Sequence, residues 1–567
     1  MITKYLSEIV SEIFGQLKYA KGDEYVVSLS DRVDVCDYQC NDLFKLSKLY
    51  KKSPSAIGDE FIAELNKNAT YKKLFSKVEI FNPGFLNFSL SAEFIFELQK
   101  KMFARKGLID FEDKKKVVMD YGGPNIAKPL HVGHLRSAVV GESIKRILRH
   151  AGNTVIADVH FGDFGLQMGQ VIYGIKEKGI KLEELTLNDL DEIYPNMSGR
   201  CKEDEALLSE CAELAKRQQD GDKELKEYWE KIVELSKVDI KKQYDYLDVA
   251  FDIWEGESDA EPLLAELTKE LEQKGVLEIS QGAKIINVAR EGEEMPPLLY
   301  QKSNGAYLYG TTDLGTIKKR YINYKPDEII YVADKRQSLH FEQVFRAAEK
   351  GSIAPNVKLE LCGFGTVNGK DGKPFKTRAG SAPKLSALFE EVREVVCNLE
   401  QNKTIKGEDA DILVNAILKF ADLQNNIESD YIFDIEKFSN VVGKTGPYVL
   451  YTYARINSVV VNEVWDSKID SLAQIYNDSD RSLRIHILKF EEYFAKAYSG
   501  RKPNILCEYL YNLCLRANTF YEQNRIKDNS DEAQKAQWLS VLQQTTKLIK
   551  LVSHLLVIEQ PSVMSKK

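Results

Sequence analysis

Apolar residues recur at helical spacing near the start of the chain, with Ile9, Ile13 and Leu17 on one face of residues 5–16. The same period predicts helices over 42–50 and 57–67. The pattern then shortens. Residues 77–81 and 85–90 read as strands joined by the turn residues Asn82-Pro83-Gly84. Residues 1 to about 105 therefore predict an α+β unit of their own.

Val117-Val118-Met119-Asp120 opens a different pattern with a short apolar strand. A long amphipathic helix follows over about 134–150, with Leu135, Val139, Ile144, Ile147 and Leu148 on one face and a stop at Ala151-Gly152-Asn153. A second strand comes at 154–159, and strand–helix–strand at this spacing predicts a parallel sheet. Between about 175 and 290 the chain is highly charged and helical, as in 203–245. Strand signals resume at 328–332 and 358–362, so the charged stretch reads as an insertion. Beyond about 409 the chain reads as helices through 557, with no internal repeat. The expected architecture is a multidomain α/β protein. It has a Rossmann-type parallel-sheet domain over 106–400 with a helical insertion, the α+β unit over 1–105 and an all-α unit over 401–567.

The 567 residues, 43% hydrophobic and 29% charged, suffice for several cores and exclude a single small module. With 78 basic and 86 acidic residues the net charge is −8, which excludes broad nonspecific grip on nucleic acid but leaves room for a local basic face. Residues 401–567 carry 21 of each sign, so the deficit lies in the first 400. Eight scattered cysteines, the nearest pair being Cys36 and Cys40, predict neither a disulfide scaffold nor structural zinc. The longest apolar run, near 551–558, is broken by Ser553 and His554, and the start shows no secretory core. A reduced, cytoplasmic protein without a membrane span is expected.

The chemistry concentrates in Gly122-Gly123-Pro124-Asn125-Ile126-Ala127-Lys128-Pro129-Leu130-His131-Val132-Gly133-His134. It lies between a predicted parallel strand and the helix after it, where open α/β sheets bind phosphates. Two imidazoles flanking Val132-Gly133 reach one anion, and Gly133 admits a base or ribose close to the backbone. Donors so placed suit attack on an α-phosphate.

This segment resembles the "HIGH" signature of class I aminoacyl-tRNA synthetases, and its wider string, Pro124 to Ser137, resembles the arginyl-tRNA synthetase family. Other stretches agree in order: Gly162-Asp163-Phe164-Gly165-Leu166-Gln167; Tyr307-Leu308-Tyr309-Gly310-Thr311-Thr312-Asp313, similar to the family's arginine-binding strand and loop; and Gln337-Ser338-Leu339-His340-Phe341. Lys373-Pro374-Phe375-Lys376-Thr377-Arg378-Ala379-Gly380 resembles the altered "KMSKS" loop. Thr445-Gly446-Pro447-Tyr448 with Tyr453-Ala454-Arg455 resembles the start of the anticodon-binding domain, and Phe81 to Phe88 the end of the extra amino-terminal domain.

The resemblance implies a ligase that activates L-arginine with ATP, Mg²⁺ accompanying ATP as substrate, and passes arginine to the terminal adenosine of an arginine-accepting tRNA. It assigns the α-phosphate to His131 and His134, and ATP to these with Gly133 and Lys128. Laying 375–378 on the family's Met-Ser-Thr-Arg variant puts Thr377 where other class I enzymes carry the second loop lysine; starting the motif at Lys373 puts Lys376 there. The resemblance favours the first register, with Lys128 substituting, and Lys376 and Arg378 serve as loop cations in either. For arginine it implies Asp120, Asn125, His134, Tyr309, Asp313 and Gln337. Asp313 would face the guanidinium, whose fork suits a carboxylate. The plainer readings are a core aromatic for Tyr309 and a helix cap for Asp313. A monomer is the expected state.

Gly443-Lys444-Thr445 fails as a phosphate loop because Phe438 stands where a glycine is required. The aromatic-rich stretch 506–525 reads as core, although the resemblance puts one face of its domain on anticodon bases. Two rival functions stand beside this one. A nucleotidyltransferase of the same fold is usually far shorter and lacks a helical carboxy-terminal domain. A catalytically silent tRNA-binding paralogue would not need His131, His134, Asn125 and Asp313 intact.

Overall fold

A computed structural model describes residues 1–30, 35–81, 83–375, 384–399, 407–463 and 474–561. Strand β1 (Lys116–Tyr121) sends Val117 and Met119 into one core and Val118 into another, so both of its faces are covered. That is the environment in which an apolar run forms a central parallel strand. Helix α1 (Val132–His150) carries the chain over to strand β2 (Thr154–Asp158), and strands β3 (Glu328–Asp334) and β4 (Lys358–Phe364) complete a parallel sheet in the order β4-β3-β1-β2. Asp120 and Asp158 stand side by side in register across β1 and β2.

The pattern of α1 predicts one buried face, yet Arg136, Glu142 and Lys145 on its polar side are buried as well. The carboxy-terminal helices and the insertion pack over that side. The charges survive because they are paired: Glu142 accepts from Lys145 at 2.7 Å, Arg146 at 2.9 Å and the Tyr121 hydroxyl at 2.8 Å.

The insertion begins as predicted, with helices that include α2 (Leu187–Glu203), but it is not helical throughout. Strands Glu278–Ser280, Ala283–Ile286 and Leu298–Gln301 form an antiparallel sheet there. They are too short, and Glu278–Ser280 too exposed, to leave a period-two signature. A second correction concerns residues 307–313. The chain turns helical at Tyr309, and α3 (Tyr309–Tyr324) puts Tyr309 and Asp313 one turn apart on a helix rather than on a strand and loop. Thr311 Oγ1 accepts from the Leu308 amide at 3.4 Å, which helps close that first turn. Helix α4 (Ser338–Lys350) then packs with α3 on the far face of the sheet.

The amino-terminal sheet holds two strands that the pattern did not predict, Val27–Leu29 and Tyr38–Cys40, beside Phe85–Leu90 and Phe75–Phe81. Three residues each give no alternation to read. This sheet docks on the carboxy-terminal helices through Asp37, which Arg481 grips at 3.0 and 2.9 Å. In the aromatic-rich helix Pro503–Gln523, Tyr509 and Phe520 are buried, whereas Tyr511 and Tyr521 are half-buried. Among the described residues no helix is long and apolar enough to cross a membrane.

Candidate active site

The carboxyl ends of β1 and β3 and the amino end of α1 meet at one edge of the sheet. His131 is the N-cap of α1: its Nδ1 accepts from the Gly133 amide at 3.1 Å, and its own amide donates to His134 Nδ1 at 3.0 Å. A Cβ on Gly133 would lie 2.9 Å from the His131 ring, so only glycine lets the imidazole cap its own helix. With both Nδ1 atoms accepting, each neutral ring carries its proton on Nε2. Burial pushes the His134 imidazolium down to about 3, with help from His131 and Lys128. Burial and the Lys128 and Arg336 cations also hold His131 below the usual histidine range. The result is two uncharged N–H donors, ring centroids 4.0 Å apart, at the positive end of a 19-residue helix.

The loop before them is held from several sides. Ser236 Oγ accepts from the Ala127 amide at 3.1 Å, and the Gln167 amide donates to the Ile126 carbonyl. Ile126 and Gly162 pair at 3.0 Å, and a Cβ at Gly162 would collide with Asn125 Oδ1. The Gly162–Gln167 motif is thus the bed on which Asn125 lies. The Lys128 ammonium rests 4.5 Å from the ring centroid of Tyr194 on α2. Gln337 is exposed at the end of β3.

Lys376, Thr377 and Arg378 lie outside the described residues. The ends of their loop are fixed. The Phe375 amide donates to Val367 at 3.0 Å, and past the loop the Leu385 amide donates to the Leu130 carbonyl at 2.7 Å, with Lys384 bridged to His131. The chain just past the loop therefore meets the first signature segment at Leu130 and His131.

Near them is an acidic cluster. Tyr309, 67% exposed, lies at its edge near Glu257. Asp313 accepts from His340 Nε2 at 2.5 Å, and this contact raises the His340 pKa against burial. Asp120 and Asp158 share the buried Arg320, whose Nη2 is 2.7 Å from each. Burial raises the Asp120 pKa above its usual value despite that cation. Burial would depress His160, but Asp158 and Asp120 outweigh it and lift this imidazole to about 9.

One member of the cluster carried no signal in the sequence. Glu257 is one of four acids within residues 255–261 of the charged insertion, outside every motif. Its place follows from backbone pairing: the Glu257 amide donates to Phe161 at 3.0 Å, and Asp163 holds Ser258 Oγ at 2.7 Å. Glu257 Oε2 is buried with no hydrogen-bond partner, and burial, with Asp313 and Asp163 nearby, pushes the carboxyl up to about 8. A buried acceptor near Asp313 suits a cation that brings several N–H groups. Among the described residues no three His, Cys, Asp or Glu side chains are grouped to hold a metal ion.

Comparison with known proteins gives the family. The family model for the class I (R) tRNA synthetase catalytic domain matches residues 98–435, that for the DALR anticodon binding domain 449–564, and that for the arginyl tRNA synthetase N terminal domain 1–90. The arginine–tRNA ligase of Alkaliphilus oremlandii is 38% identical over 100% of both chains, and that of Francisella tularensis SCHU S4 is 38% identical over 99% of this chain and 100% of its own. The arginyl-tRNA synthetase of Plasmodium falciparum superposes with a TM-score of 0.83 at 27% identity, covering 99% of each chain. That of Thermus thermophilus superposes at 0.78 and 22% identity over 100% of each chain, and shares the fold. The chain belongs to the arginyl-tRNA synthetases, class I ligases that join arginine to its tRNA with ATP.

Proposed function

We propose that His131 and His134 act on ATP through their Nε2–H groups, which meet the charge growing on the α-phosphate as the arginine carboxylate attacks phosphorus and the bond to pyrophosphate breaks. Lys128, with Lys376 and Arg378 from the loop, takes the leaving pyrophosphate and its Mg²⁺, and Gly133 lets the nucleotide approach the backbone. A hydroxyl of the terminal adenosine, the 2′-hydroxyl in this family, then attacks the arginyl carbonyl and AMP leaves.

The observation that carries the arginine assignment is the acidic cluster near those donors. Asp313 and Glu257, whose Oε2 has no hydrogen-bond partner, face the guanidinium, and Tyr309 borders it. Asn125, Gln337 and His134 hold the α-amino and carboxylate end, where Asp120, with Oδ2 committed to Arg320, adds negative charge. We further assign residues 1–105 and 401–567 to the tRNA, the former to its outer corner and the latter to its anticodon, around a catalytic unit of 106–400. The protein works as a cytoplasmic monomer, and Mg²⁺ enters with ATP.

Arginine-dependent ATP–pyrophosphate exchange with and without tRNA tests this reading. Exchange should require both, as the family generally does. A protein that binds tRNA but exchanges nothing would be the silent paralogue, and exchange without arginine would return the nucleotidyltransferase reading.

A further inference from the structure

With a single turn, helix α2 of the insertion reaches Lys128 of the first signature segment and Lys384, which follows the loop. Tyr194 lies under the Lys128 ammonium at 4.5 Å, and Asp191, three residues earlier, pairs with Lys384, whose backbone bridges to His131. Pro195 follows inside the helix, removing one backbone donor and the bond it would make to the Asp191 carbonyl. The Asp191–Lys384 pair is partly exposed, with side chains 25% and 52% accessible, and pairs of that kind add little. The ring contact is the stronger link, because Lys128 is half-buried and makes no ion pair among the described residues. A flexible four-carbon stem needs such a hold if its charge is to wait at one place.

We propose that Tyr194 is a positioning residue for Lys128, using the face of its ring to keep the ammonium aimed at the phosphates, so that the helical insertion tunes adenylate formation. This rests on the reading that Lys128 serves the pyrophosphate. The hydroxyl has no part in it. Tyr194 also stands near Tyr309, whose ionisation it opposes after the effects of burial and Glu257, and so borders the acidic cluster as well as the loop.

The test is a double-mutant cycle in tRNA-dependent exchange, with arginine affinity and thermal midpoint measured alongside. Tyr194→Leu should lower the exchange rate about tenfold, the size of a partly desolvated cation–ring contact, with arginine affinity and midpoint little changed. Tyr194→Phe keeps the ring face and should stay within about threefold of the natural protein. Lys128→Met should lose more, and adding Tyr194→Leu to it should cost nothing further. Three results overturn the proposal: Tyr194→Leu within about twofold of the natural rate, Tyr194→Phe as impaired as Leu, or losses that multiply in the double variant. Lys128→Met at the natural rate would strike the Lys128 reading itself. An impaired Lys128→Met beside an intact Tyr194→Leu removes only the role of Tyr194.

Discussion

His340 donates through Nε2 to Asp313 Oδ2 at 2.5 Å, so the carboxylate proposed for the guanidinium is oriented before any substrate arrives. The donor comes from α4 and the acceptor from α3, and the two helices fix the carboxylate plane together. Asp313→Ala should therefore damage arginine use far more than ATP use. Leaving a guanidinium buried and unpaired costs about 3–5 kcal/mol, or more than a hundredfold in the Michaelis constant for arginine. A shift below about threefold would remove Asp313 from the specificity site.

Glu257 makes arginine binding pH-dependent. Burial lifts its carboxyl to about 8, so at pH 7 it is mostly protonated. A bound guanidinium favours the carboxylate and lowers that pKa, so binding releases a proton below about pH 8 and affinity rises with pH up to that point. Titration calorimetry in buffers of different ionisation heat should detect the release, and Glu257→Gln should abolish it. No buffer dependence in the natural protein would contradict the assignment.

His134 does not titrate in the working range, since its imidazolium is pushed down to about 3. It should contribute no acid limb to the exchange profile between about pH 5 and 9, because a neutral donor is already in place. His134→Ala should lower adenylate formation by about 10²-fold, the loss of one transition-state donor. Correctly folded variant protein with near-natural exchange would end its catalytic role.

Arg320 carries a structural load that is separate from chemistry. It separates two carboxylates that the sheet register puts side by side. Arg320→Met leaves Asp120 and Asp158 facing each other in a buried place and should destabilise the protein by about 3–5 kcal/mol. The thermal midpoint of the variant checks this, and a fall of less than about 1 °C would show that the pair is relieved in another way.

Deleting residues 1 to about 105 should weaken tRNA binding while arginine and ATP binding persist. Contacts directed at phosphates fade with salt, so the loss should shrink as salt rises. The deletion also strips Arg481 of Asp37, so the midpoint must be read alongside the tRNA dissociation constant. Unchanged tRNA affinity with a large drop in midpoint would make this unit a buttress.

The Pro124–Ser137 string was readable from the chain because its chemistry is local. Within one turn of helix, the order of residues places His131, Gly133 and His134 with respect to one another, and a strand before them and an amphipathic helix after them are set by period alone. Tyr309 and Asp313 were singled out by the family resemblance, at the family's spacing of four; residues 307–309 have strand-like composition, yet the chain is helical from Tyr309. The rest depends on contacts between distant segments. Glu257 reaches the acidic cluster through pairing with Phe161, Arg320 joins Asp120 to Asp158 across the sheet, and Tyr194 meets Lys128 from a separate insertion. No periodicity encodes such meetings, because an acid, arginine or tyrosine in a charged stretch looks the same whether it faces water or a site. Burial separates them. It leaves Glu257 Oε2 without a partner and strips His134 of its charge, and it exists only once the helices have closed around the sheet.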